Sequence, residues 1–173
     1  MPDKKPAPTG REAPFQAHEL IVSKTDLKGR LTYANDVFCR VAGYSENELL
    51  GMPHSIIRHP DMPRAVFKLM WETIEAGGEI FAYVVNLARN GDHYWVLAHV
   101  TPSRDAAGRI VGYHSNRRKP RAEAVASVAE LYRELRTLEQ QPDRKQGLHA
   151  ASARLSEILE AREVSYDRFV LSL

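Results

Sequence analysis

A single cysteine, Cys39, stands among 173 residues, so no intramolecular disulfide framework is possible and nothing points to an oxidising compartment. Long apolar runs are missing too. None approaches the roughly 20 residues of a membrane-spanning helix, and residues 1–10 lack the apolar core of a signal peptide. Charge of one sign is scarce: 24 Lys and Arg against 22 Asp and Glu leave a net charge of +2, too little to argue for a nucleic-acid partner. One local cluster, Arg117, Arg118, Lys119 and Arg121, reads as a solvated linker face. Catalytic signatures are absent as well, with no Ser/His/Asp order, no phosphate-cradling glycine loop and no metal-spaced Cys/His cluster. These absences exclude secreted disulfide scaffolds and membrane spans and argue against an enzyme. What is present, 43% apolar and 27% charged residues, suits one ordinary cytoplasmic domain with some length left over.

Periodicity divides the chain into three parts. Residues 1–14 hold Pro2, Pro6, Pro8 and Pro14 and little to bury, the composition of a disordered leader. Residues 15–120 carry the main domain. In it, "LIVSKTDLKGRLTY" reads as strand, turn at residues 26–29, and strand. Asn35 then caps a helix bearing Val37, Phe38, Val41 and Ala42, and Ser45 to Glu48 forms a capping box for a shorter one. A third helix follows "RHPDMP", with Pro63 at its start, Asp61 near its positive end, and Val66, Phe67, Met70, Trp71 and Ile74 on one stripe that stops at Gly77-Gly78. Strands at 80–88, 93–101 and 109–116 complete a β-β-α-α-α-β-β-β order, joined by an Asn90-Gly91 hairpin and a turn at 105–108. An antiparallel sheet with helices on one face, an α+β architecture, is the layer solution.

Residues 121–173 form the third part. Val128, Leu131, Leu135 and Leu138 share one helical face, Pro142 ends that helix, and Leu148, Ala151, Leu155 and Ile158 repeat the spacing. A hairpin of the two helices leaves apolar surface uncovered, to which Tyr166, Phe169, Val170 and Leu173 add, so a homodimer through residues after 120 is expected.

The segments "TDLKGRLTYANDVFCRVAGYSENELLG", "IIRHPDMPRAVFKLMW", "RNGDHYWVLAHVTP" and "GRIVGYHSNRRKP" resemble the PAS sensor domain of bacterial aerotaxis receptors, the subgroup that holds FAD. The resemblance covers roughly residues 20–120. It implies the five-stranded PAS sheet, a non-covalently bound FAD between sheet and helices, and a redox or oxygen-sensing role relayed to the C-terminal helices and a signalling partner. The chain has neither the membrane nor the methyl-accepting segment of those receptors, which reads as a standalone sensor.

On that resemblance the site residues are Asn35, His54, Arg58, His59, Asp61, Phe67, Trp71, Phe81 and Asn86. Phe67 and Trp71 wall the flavin ring and are also core residues. Asn86 presents donor and acceptor to the ring's polar edge. Arg58 pairs with the pyrophosphate, and His59 meets a phosphate or the adenine. Asp61 shapes the Arg58-His59 turn, Asn35 caps its helix and borders the cavity, and His54 either lines the pocket or lies on the surface. Two departures from the family are Phe81 where a tryptophan often stands, and Val85 and Leu87 where a basic residue often flanks the asparagine. Both make the pocket more apolar and keep a haem alternative open, with His54, His59, His99 and His114 as possible axial ligands. A cofactor-free PAS interaction module is the other alternative, and a light-reactive cysteinyl-flavin domain is disfavoured because Cys39 lies outside the required motif.

Overall fold

A computed structural model describes residues 5–173 of the chain. The hairpin forms from β1 (Ile21–Thr25) and β2 (Leu31–Ala34). Helices α1 (Asp36–Ala42) and α2 (Glu46–Leu49), a 3-10 turn at His54–Ile57, and α3 (Arg64–Glu75) follow. Strands β3 (Ile80–Leu87), β4 (His93–Arg104) and β5 (Ile110–Arg118) complete one antiparallel sheet of order β2-β1-β5-β4-β3. The tail comprises α4 (Ala122–Glu139), α5 (Arg144–Ala161) and α6 (Tyr166–Leu171).

Local chemistry starts the short helices as their residues dictate. Asn35 Oδ1 accepts from Phe38 N–H, and Ser45 and Glu48 close the reciprocal capping box. Helix α3 is different. Its N-cap, Pro63, makes no side-chain cap bond, and Asp61 points to solvent with 81% of its side chain exposed. The carboxylate at this helix end is Glu139, from the last turn of α4, whose Oε1 accepts the Ala65 N–H at 2.8 Å. Its side chain is fully buried and also pairs with Arg64 at 3.4 Å and Arg136 at 3.1 Å. A cap expected from three residues upstream is thus supplied through tertiary folding, because Pro63 directs the chain extended and carries Asp61 away from the free N–H groups.

The tail folds back onto its own domain. Tyr132 of α4 packs on Trp95 of β4 with ring centroids 5.9 Å apart, and its hydroxyl donates to the Tyr83 carbonyl of edge strand β3. Asp167 of α6 accepts the Phe81 N–H at 2.8 Å, so α6 lies along the same edge. Gly147 lets α5 cross the end of α4 closely: a Cβ there would stand 2.8 Å from the Glu139 carbonyl oxygen. Val128, Leu131, Leu135, Ala151, Leu155, Tyr166, Phe169 and Val170 are all buried within the chain. The homodimer was expected because these faces needed a cover. The domain itself covers them, which removes that argument.

The leader also departs from expectation over its described part. Ala13 N–H donates to the His93 carbonyl at 2.8 Å, His93 N–H donates to Arg11, and Thr9 N–H donates to Gly91. Residues 9–13 thereby pair beside the start of β4, where β5 has already ended at Arg118. Free backbone groups of β4 outweigh the leader's poor apolar content. Residues 1–4 lie outside the described residues.

Glu139→Ala should lower unfolding free energy by about 3 kcal/mol, since it strips the partner from a buried ionic cap, whereas Glu139→Gln, which keeps an acceptor, should cost about 1 kcal/mol. Denaturant titration of both variants checks this, and equal stability of Glu139→Ala and wild type would show that the cap contributes nothing.

Candidate cofactor pocket

The inner face of the sheet is set by the period-two alternation of its strands. Val84 and Asn86 of β3, Ala98 and Val100 of β4, Tyr113, Ser115 and Arg117 of β5, and Ser23 and Thr25 of β1 all face α3 and the 3-10 turn. Between the layers lies a cavity of about 360 Å³. Phe67, Met70, Trp71 and Ile74 close it from α3, and His54, Ser55 and Arg58 from the turn. Trp71 crosses to the β1-β2 hairpin, where Gly29 adopts φ +74° and a Cβ would stand 3.0 Å from Trp71 Cη2. The turn therefore needs glycine twice, for its backbone and for the indole. Tyr113 meets Trp71 edge-on, with ring centroids 5.5 Å apart.

Polar groups stand at fixed places in this apolar chamber. Asn86 is 4% exposed, and its Nδ2 has no hydrogen-bond partner among the described residues. A buried amide donor without a partner costs free energy, and a bound acceptor restores the bond. Arg58 pairs through its backbone with Asn86, at the edge of β3, and its guanidinium lies 4.3 Å from the Phe67 ring centre.

Arg117 is the unexpected member. It is 2% exposed and lines the cavity instead of facing solvent with its cluster. Its guanidinium stacks 4.6 Å from the Phe38 ring centre and donates to Ser23 Oγ and, at 3.3 Å, to His54 Nε2, while Nε is unpartnered among the described residues. No carboxylate is among its contacts with the described residues, and burial brings its pKa down to about 10. Since arginine only donates, His54 Nε2 must be the acceptor and the ring must carry its proton on Nδ1. His54 keeps some accessible surface where it borders the cavity, yet protein surrounds its ring. Burial first, and the Arg117 charge second, push its pKa down to about 3. The alternation of β5 places Arg117 on the face of Tyr113 and Ser115, and that parity was the available signal for it.

Of the nine residues expected at the site, His54, Arg58, Phe67, Trp71 and Asn86 line this cavity. Asn35 does not. Its Oδ1 accepts from Val22 and Phe38, and its Nδ2 donates to Leu20, so the amide is consumed in tying α1 to β1. Phe81 has the opposite parity to Asn86 and stacks on His99 at 4.1 Å outside the cavity; Val85 and Leu87 likewise face away and do not alter its polarity. His59 is buried beyond the turn, its Nδ1 accepting the Asp61 N–H at 3.1 Å, and the Asp61 carboxylate is in solvent. Cys39, half-buried on α1, does not line the cavity.

The charge state of His54 makes stability pH-dependent with a definite sign. The folded chain keeps the imidazole neutral down to about pH 3, whereas the unfolded chain protonates it near pH 6.5. Stability should therefore fall as pH drops from about 6.5 towards 3. His54→Gln, which keeps an acceptor for Arg117 without titrating, should flatten that slope relative to wild type in denaturant melts taken at several pH values; parallel slopes would mean that His54 is protonated in the folded protein.

Similar proteins share this architecture. The chain is 42% identical over 130 residues to the aerotaxis receptor of Escherichia coli (strain K12), a stretch covering 75% of this chain and 26% of the receptor. It is 32% identical over 94 residues to the nitrogen fixation regulatory protein of Klebsiella pneumoniae, covering 54% of this chain and 19% of that protein. Each match therefore spans a minor part of the relative's length. Among solved structures, the dark state of the blue-light photoreceptor Aureochrome1 LOV superposes with a TM-score of 0.55 at 27% identity, over 69% of this chain and 86% of the other. The PAS fold family matches residues 31–117, from the first residue of β2 to the buried arginine of β5. With its five-stranded sheet, its helices and its cavity between them, the chain belongs to the PAS family.

Proposed function

We propose that this PAS domain is a redox or oxygen sensor that holds FAD in the cavity and relays its state to the C-terminal helices and a signalling partner. The observation that carries the reading is the buried Nδ2 of Asn86, without a hydrogen-bond partner among the described residues, at the wall of an aromatic-lined chamber. A flavin fits the donor set. Trp71 and Phe67 suit a flat aromatic ring, Asn86 suits its amide-like edge, and the uncompensated Arg117 suits an electron-rich carbonyl. The aerotaxis-receptor similarity supports the same choice.

When bound, a flavin supplies a ring nitrogen whose protonation changes with redox state. Asn86 can answer with either half of its amide, so a rotation of one side chain converts a donor into an acceptor. Strand β3 makes that rotation consequential. Asn86 faces the cavity, while the same strand offers Tyr83 O and Phe81 N–H to Tyr132 and Asp167 of the tail. A disturbance of β3 thus bears directly on the bonds that dock α4 and α6.

Haem is the second reading. Against it, His54 Nε2 is already engaged by Arg117 and Ser23, and His99 lies outside the cavity beside Glu79. His114, at the cavity wall, is the histidine the haem reading would need.

Protein purified from a flavin-sufficient host should be yellow and release FAD on denaturation; a Soret band tracking stoichiometric iron would establish haem instead. Asn86→Asp should change the difference in tail proteolysis between oxidised and reduced protein more than it changes FAD content. Identical proteolysis of the two wild-type states would sink the relay while leaving the cofactor assignment intact.

A further inference from the structure

A second hollow lies on the far side of Arg58, between the "RHP" turn and the α4-α5 connection. It measures about 660 Å³, and Arg58 lines both it and the inner cavity. Its wall gathers Lys5 from the leader, Arg58 and Arg64 from the domain, and Arg136 and Arg144 from the C-terminal hairpin. Among the described residues that line it, Glu139 is the sole carboxylate, and that group is already spent on Arg64, Arg136 and the Ala65 N–H. Among the described residues, the guanidinium groups of Arg58 and Arg144 have no carboxylate partner.

The crowding has an electrostatic cost. Burial first holds Arg58 below its ordinary pKa; Glu139 opposes the shift, and Arg136, Arg144 and Arg64 add to it. Lys5 is lowered too, by burial and then by Arg58. Like charges converging on a recess are relieved by a bound anion, and arginines are suited to bidentate phosphate contacts.

We infer that Arg136 and Arg144 of the C-terminal hairpin join Arg58, which the family resemblance already assigns to the pyrophosphate, in holding the diphosphate of a dinucleotide whose flat ring occupies the inner cavity. The proposal rests on the flavin reading for the ring end. The two spaces, one apolar with an amide at its edge and one cationic, match the two ends of FAD, with Arg58 where they join. The tail is then a lid that the cofactor's anionic end holds down. Occupancy and tail docking become linked, because an anion bound to both the domain and the hairpin favours the docked arrangement over the free one. FMN or riboflavin, lacking the diphosphate-adenylate end, would fill the ring cavity without closing that link.

The test uses the full chain freed of cofactor, titrated with riboflavin and with FAD by flavin fluorescence, and with ADP by calorimetry. FAD should bind at least about tenfold more tightly than riboflavin, and salt should erode this advantage. Arg144→Glu, which reverses a charge that no side chain among the described residues holds, should abolish most of the advantage and leave riboflavin affinity within about twofold of wild type. FAD should also slow proteolysis between residues 139 and 144 where riboflavin does not. If riboflavin and FAD bind alike, or if Arg144→Glu leaves FAD affinity unchanged, the anion site is wrong and the flavin cavity stands. If no flavin binds but ADP binds wild type and not Arg144→Glu, the anion site stands and the flavin reading falls. If neither flavin nor ADP binds, both fall.

Discussion

The free edge of β3 is the constraint around which this molecule is arranged. An edge strand presents unpaired N–H and C=O groups, and one buried on both faces cannot leave them to water. Here three separate segments satisfy them. The backbone of Arg58 bridges to Asn86, the Tyr132 hydroxyl donates to Tyr83, and the Asp167 carboxylate accepts from Phe81. The turn before α3, helix α4 and helix α6 are therefore all docked on one strand. That strand also places Asn86 in the cavity, so the pocket and the tail share a structural element and not merely a neighbourhood.

The second organising term is electrostatic. Arg117 sits in the core with hydroxyl, imidazole and aromatic neighbours but no counter-charge, an arrangement that costs desolvation without a full ionic return. Glu139 is the opposite case, a buried carboxylate saturated by two arginines and a helix N–H. One group is under-compensated and faces the cavity, while the other is fully compensated and joins the tail to the start of α3. Such asymmetry fits a division of labour in which the inner charge awaits a partner and the outer charge holds the assembly together.

Much of the site was legible residue by residue. Arg58 of the "RHPDMP" turn, the Phe67-Trp71 stripe and the strand asparagine converge on one cavity, whereas His59 and Asp61 of the same turn do not reach it. The misreadings also share a cause. Phe81 was placed by its nearness in sequence to a family position, although the period-two parity that carries Asn86 inward carries Phe81 outward. Arg117 was grouped with its charged neighbours in sequence, although the same parity takes it inward and sends Arg118 to solvent. Asn35 caps α1 as its sequence position implies, and its three hydrogen bonds to α1, β1 and Leu20 hold the amide away from the cavity.

By itself, then, the sequence determined the order of elements, the local caps of α1 and α2, the glycine turns and the amphipathic faces of the tail. Each depends on residues a few positions apart, whose geometry is set before the chain folds. Only the tertiary structure decided which cover the tail would find, which carboxylate would cap α3, and where the leader would pair. Those outcomes depend on backbone groups and apolar surfaces distant in the chain that compete for one another. Pattern reveals that a stripe must be buried or an N–H satisfied, but not which of several chemically adequate partners lies within reach.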